Sequence, residues 1–195
     1  MSPFSRRWQA AEQEHAEAIA AFFVAVSLVP DHKWTLPLGP GRWSPAQQVL
    51  HVEQSYALGL AAARGGSGME LRRPRWVAWL SRRILLPWMA LTKRFPAGAP
   101  APREVRPDAE RAHAMSREGL ILRLQQSAKE SLAALRAVSD RTDIRVTHAY
   151  LGALTPYETL RILSAHTRHH AKLLAPPKIT GKSQPCVPSA PEAAA

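Results

Sequence analysis

Near the C-terminal end of the 195-residue sequence, SAHTRHHAKLL (164–174) places three histidines within five positions. Imidazole is the commonest protein ligand for metals and the side chain that titrates nearest neutral pH. On a helix, His166 and His170 share one face with about 5–6 Å between their Cβ atoms. Both rings can then reach a single ion, each nitrogen about 2.0–2.1 Å from it. His169 is turned about 100° from His170; it falls at the edge of that face, as a group behind the ligands or a surface one. Two histidines alone hold an ion weakly, so a third ligand must come from another element. His51, in the middle of VLHVEQS beside Val49 and Leu50, is the best placed, because an imidazole at so apolar a position needs a partner. His148 is a candidate fourth group. Three histidines with one open position are the ligand count of a catalytic zinc-type site.

The pattern is not that of the zincins, which place Glu directly after the first histidine as general base; here Thr167 follows His166. A base would come from Glu53, Glu158 or His148. Without a metal, the pair would serve only to set imidazoles against the helix C-terminal dipole. Of the remaining histidines, His15 reads as core or boundary, and His32 and His113 as solvent-facing.

These residues need helices to position them. Residues 5–28 form a first one, with Trp8, Ala11, His15, Ile19, Phe22, Phe23 and Val26 at three- and four-residue steps. Pro30 stops it, and a loop rich in Pro and Gly follows, with Trp34 and Trp43 expected to pin it to the core. The second helix, 45 to about 64, starts on Ser44 as N-cap, Pro45 at N1 and Gln47 at N3, a capping box, and ends at Gly65–Gly66. Residues 108–138 read as one long helix with Met115, Leu120, Leu124, Ala128, Leu132 and Leu135 as core positions. After an irregular stretch with no convincing strand, Thr155, Pro156 and Glu158 repeat the capping box, and the last helix runs to about 174. The fold class is therefore all-α, a four-helix bundle. Residues 1–176 form one domain, and the Pro-rich tail 177–195 is expected to be disordered.

Residues 66–107 are inserted between the second and third core helices as a basic helix and a Pro-rich connector. RRPRWVAWLSRRILLPWMALTKR (72–94) holds seven basic residues and no acid. Trp76, Leu80, Ile84, Trp88 and Leu91 recur at helical spacing, and Pro87 is expected to kink or divide the helix. The leading expectation is that its tryptophans pack on the bundle. Docking on a membrane surface or a homodimer contact are the other readings.

Net charge is +11 and pI about 10.8, which raises nucleic acid or an acidic membrane as partners. The charges are mostly dispersed arginines without a finger or an aromatic RNA-binding signature, so nucleic acid is not the expected partner. The apolar run AIAAFFVAVSLVP (18–30) follows a stretch that contains Glu12, Glu14 and Glu17, the wrong lead for a signal segment, and is too short to span a bilayer. It reads as a buried helix. The lone Cys186 excludes an internal disulfide and any Cys-rich zinc module, and fits a reducing cytoplasm.

GRWSPAQQVLHVEQS together with HAYLGALTPYETLRILSAHTRHHAKLL resembles the DinB/YfiT-like superfamily of bacterial proteins. The likeness is to an uncharacterised branch that pairs a Trp-Ser-capped helix carrying one histidine with a late turn and an H-x-x-H-H helix. The resemblance implies a four-helix bundle holding a divalent metal, often zinc or nickel, through His51, His166 and His170. It implies a metal-dependent hydrolase, or a thiol S-transferase using bacillithiol, mycothiol or a similar thiol on a small-molecule substrate. Ala149 and Leu151 depart from the branch's turn, which has proline and an aromatic there, and Leu173 stands where glutamine is common. The alternatives to an enzyme are a metal-binding or structural bundle without turnover, and a basic docking module acting through 72–94 on an anionic surface.

Overall fold

The computed structural model describes residues 3–92, 94–96 and 100–175. The expected disordered tail, with Cys186, lies outside the described residues.

Helix α1 (Pro3–Ser27) buries the stripe its spacing predicts: Trp8, Ala11, Phe22 and Val26 are covered, and Ile19 and Phe23 pack partly against them. After Pro30 a 3-10 turn (Asp31–Lys33) leads to Trp34, which is buried as expected. Helix α2 (Pro45–Ala63) opens on the full capping box. The Ser44 hydroxyl accepts from the Gln47 amide at 3.3 Å, and the Gln47 side chain accepts from the Ser44 amide at 3.0 Å. Two amides that the helix cannot satisfy itself are thereby paired. At its far end the amides of Gly65 and Gly66 close on the carbonyls of Ala62 and Ala61. Helix α3 (Arg75–Thr92) follows, then a 3-10 turn (Arg103–Val105), α4 (Ala109–Ala114), α5 (Arg117–Ala137), strands β1 (Val146–His148) and β2 (Gly152–Leu154), and α6 (Pro156–Leu174). Helix α6 starts on the second capping box, Thr155 with Glu158.

Helix α1 lies along α6 and α2 along α5, and α6 also touches both α2 and α5. The core between them contains Phe22, Val26, Leu50, Tyr56, Leu120, Leu124 and Leu160. Each such side chain contributes roughly 1.5–3 kcal/mol by leaving water. A smaller cluster of Met89, Leu151, Leu154, Ile162 and Ala165 joins α3 to the hairpin and α6.

Four expectations need correction. The span 108–138 is two helices, not one. Met115 and Ser116 are extended, and Ser116 caps α5 by accepting from the Gly119 amide at 3.0 Å, as Asp108 caps α4. A serine followed by Arg-Glu is an N-cap signal that outcompetes continuation through Met115.

The irregular stretch contains a two-stranded antiparallel ladder, with Val146 opposite Leu154 and His148 opposite Gly152. Strands of three residues are too short to display alternation. Gly152 adopts φ +70°, and a Cβ there would meet that of Ala78 at 3.4 Å, so the turn geometry and the seating of α3 share one glycine. On the other side of β1, the amides of Met69 and Arg72 donate to the carbonyls of Thr147 and Ala149 at 2.8 and 2.9 Å. Gly68 comes so close that a Cβ would sit 2.6 Å from the Thr147 carbonyl oxygen.

Pro87 does not divide α3. Its ring and the Arg83 it leaves without a partner are both exposed, so water can take the released carbonyl. Finally, the tryptophans of α3 do not pack inward: Trp76, Trp79 and Trp88 are all exposed, and the inward face is carried by Ala78, Leu85, Leu86 and Met89.

Candidate metal centre

Helix α2 carries His51 two turns in, where it is buried. Its Nδ1 lies 2.5 Å from the carbonyl oxygen of Val105. A carbonyl only accepts, so Nδ1 holds the proton and Nε2 presents a lone pair. Helix α6 carries His166 and His170 one turn apart, both facing α2. His170 donates from Nδ1 to the Gln48 side-chain oxygen, and its Nε2 is likewise left with a lone pair. The Nε2 of His166 is 3.0 Å from the Nε2 of His51 and 3.0 Å from that of His170.

Three imidazoles from two helices thus converge on one point, with ligand atoms all within 4.8 Å of one another. Tetrahedral coordination with bonds of about 2.0–2.1 Å separates ligand nitrogens by roughly 3.3–3.4 Å, close to the 3.0 Å found between His166 and each of the other two. Lone pairs facing one another at such distances need a proton or a cation between them, and the donor set suits a divalent ion. The Nδ1 donations by His51 and His170 are the outer contacts that fix tautomer and ring orientation in histidine metal sites.

Burial lowers the pKa of all three. For His51 the value falls to about 4, against a smaller raising effect of the Val105 bond and with a further lowering by His169. His166 and His170 are pushed well below 6.5 by burial first and by neighbouring imidazoles second. All three are neutral at pH 7, the state that ligation requires. Trp43 closes one side, its ring 4.8 Å from His51 and stacked at 12° to His170. Phe95 closes another, 5.1 Å from His166.

The other sequence candidates lie outside this point. His169 is half-buried, its ring 5.2 Å from that of His170 and 5.7 Å from Phe95, and it contributes no atom to the cluster. His148, on β1, accepts the Tyr150 amide at Nδ1 over 3.2 Å. Burial lowers its pKa to about 4, and its position still affects His166 electrostatically. Glu53 faces α5, where Ser127 and Arg123 reach it at 3.0 and 3.4 Å. Glu158 is held by the α6 cap and by Arg82 at 3.6 Å. Neither is free to act as a base at the triad. His15 is buried on α1 with its ring 5.5 Å from Tyr56.

Sequence reasoning missed Gln48, Val105 and Phe95, and gave Trp43 only the role of pinning a loop. Gln48 precedes His51 by three residues, so it was legible as a partner on the same helical face. Val105 acts through its backbone and leaves no signal in residue type. The substituted turn residues are accommodated: Ala149 is fully buried and Leu151 packs against Met89 and Ile162.

A cavity of about 490 Å³ lies beside α6, lined by residues that include Arg7, Met89, Tyr157, Arg161 and Arg168, and none of the three histidines lines it. No helix among the described residues is long and apolar enough to cross a membrane.

A mostly helical chain with three imidazoles converging from two capped helices is, as a class, a protein able to hold a metal ion. The family model described as DinB superfamily matches residues 14–174, and the chain belongs to that superfamily. Comparison with curated proteins and with solved structures finds no significant match in either.

Proposed function

We propose that the protein is a cytoplasmic metalloenzyme that uses His51, His166 and His170 to hold a divalent ion, zinc or nickel, and acts on a small electrophilic substrate. On this reading α1, α2, α5 and α6 are the four-helix bundle of the family, 66–107 is an insertion, and 1–176 is one domain. The observation that carries the reading is the convergence of three Nε2 atoms, two of them on rings whose Nδ1 protons are engaged by acceptors. An ion bound by three neutral ligands keeps its full charge and lowers the pKa of a bound water or thiol. The chain's own residues set the rest. Val105 and Gln48 hold two rings in register, and Trp43 and Phe95 cover the ligands with apolar surface that keeps the local dielectric low.

With Glu53 and Glu158 both engaged elsewhere, neither of the carboxylates that the sequence offered stands ready as a general base. That favours a low-molecular-weight thiol, which loses its proton more readily than water, over hydrolysis. The same observation favours a second reading, a metal-binding protein without turnover. Zinc-loaded protein assayed with a panel of small thiols against an electrophilic aryl halide, and with activated esters, separates the two. Metal-dependent turnover that is lost in His166→Ala supports the enzyme. A fully loaded protein inactive on both panels supports the second reading.

A further inference from the structure

Helix α3 presents apolar residues on both of its faces. Ala78, Leu85, Leu86 and Met89 turn toward the hairpin and α6. On the opposite side Trp76, Trp79, Leu80, Ile84, Trp88 and Leu91 are 39–86% exposed. At 100° per residue these six span roughly half of the helix circumference, and the charge among them is Arg83, whose guanidinium lies 5.5 Å from the Trp79 ring. A helix that faces water normally carries polar residues there, and a contiguous exposed apolar face marks an interaction site.

The charges indicate what covers it. Arg72, Arg73 and Arg75 stand exposed at the start of the helix and Arg94 beyond its end, with no acidic residue between Arg72 and Arg94. Arg82 turns inward, to the Ala153 carbonyl and Glu158. A second copy seated face to face would set these arginines against their counterparts with no acid within the 72–94 stretch to compensate. An anionic bilayer complements both features: tryptophan and leucine enter the boundary of headgroups and acyl chains, and arginine meets lipid phosphate. The helix has 18 residues including three arginines, which suits lying on a bilayer rather than crossing it.

We propose that the outward face of α3 is a membrane-surface docking element that seats the protein on anionic lipid. The interaction combines apolar insertion with charge, so it weakens as salt screens the arginines. This assignment stands apart from the metal centre, since none of these side chains belongs to the triad.

Co-sedimentation of the full chain with vesicles of phosphatidylcholine containing 30% phosphatidylglycerol, and with pure phosphatidylcholine, tests it. Two variants accompany the wild type: Trp76→Ser/Trp79→Ser/Trp88→Ser, and Arg72→Gln/Arg73→Gln/Arg75→Gln/Arg83→Gln. Every changed residue is exposed, and far-ultraviolet circular dichroism confirms that the variants stay folded. The expected result is binding to anionic vesicles at least tenfold tighter than to neutral ones, reduced tenfold or more in each variant and by raised salt. Equal binding to both vesicle types, or to neither, overturns the proposal. So does a wild-type dimer in light scattering that the tryptophan variant converts to monomer, because the face would then be a contact between copies.

Discussion

At the triad, the protons on Nδ1 of His51 and His170 decide what their Nε2 atoms can do. Gln48 holds that proton on His170, and its side chain has no other assigned task in the site. Gln48→Leu keeps similar volume but removes the acceptor, freeing the ring to rotate or change tautomer. Metal affinity is expected to fall about 10–100-fold, the usual cost of losing such an outer contact, measured by competition with a chromophoric chelator; unchanged affinity would show that the ring is held by packing alone. His15 predicts a pH effect away from the triad. Its pKa falls from 6.5 in the unfolded chain to about 4 when buried, and its Nε2 has no hydrogen-bond partner among the described residues. As pH drops below 6.5 the unfolded chain takes the proton first, so stability is lost between pH 6.5 and 4 and rises with pH. Between pH 7 and 5 this one group accounts for about 2 kcal/mol. Urea unfolding of wild type and His15→Met at both pH values should show a shallower loss in the variant, and parallel losses would count against this account of His15.

Among the elements, the caps and the joints between helices carry the geometry. Arg117, at the start of α5, donates to the carbonyls of Val29 at 2.8 Å and of Val26, and to Asp31 at 2.7 Å, while its guanidinium lies over the Trp34 ring at 4.9 Å. It ties the start of α5 to carbonyls at and just beyond the C-terminal end of α1, where the Val26 carbonyl also accepts the Val29 amide at 3.1 Å. Arg117→Ala is expected to cost about 2 kcal/mol, seen as a lower denaturant midpoint at unchanged slope, and Arg117→Lys to recover little because an ammonium cannot serve the same fork of acceptors. Both helices that carry the ligands were legible in sequence, since Ser44–Pro45–Gln47 and Thr155–Pro156–Glu158 state start points that local chemistry alone can satisfy. The break at Met115, the short hairpin and the outward turn of the α3 tryptophans were not. The break turns on a local competition, the Ser116 cap against helix continuation, whereas the other two depend on tertiary contacts: Gly68 and Gly152 admitting close neighbours, and Met89 rather than a tryptophan filling the space against Leu151 and Ile162. The apolar periodicity of α3 was read correctly as a face, but periodicity does not say which of two apolar faces turns inward.

Across the whole molecule, the histidine triad is a product of bringing α2 against α6. His51 and His166 are 115 residues apart in sequence and 3.0 Å apart at their ring nitrogens. The pair on α6 was visible from its spacing, and the choice of His51 followed from an imidazole set among buried aliphatic residues. The inserted segment was given no part in the site from sequence, yet it supplies Phe95 against His166 and the Val105 carbonyl to His51. A backbone acceptor and a loop aromatic carry no pattern by which a sequence could announce them. The central claim is that this one point in the fold holds one ion. Elemental analysis of tag-free protein, purified without chelator, tests it against the single variants His51→Ala, His166→Ala, His170→Ala and His169→Ala. The account predicts one divalent ion per chain, lost in the first three variants and kept in His169→Ala. Stoichiometric metal that survives removal of His51, His166 and His170 together would contradict it.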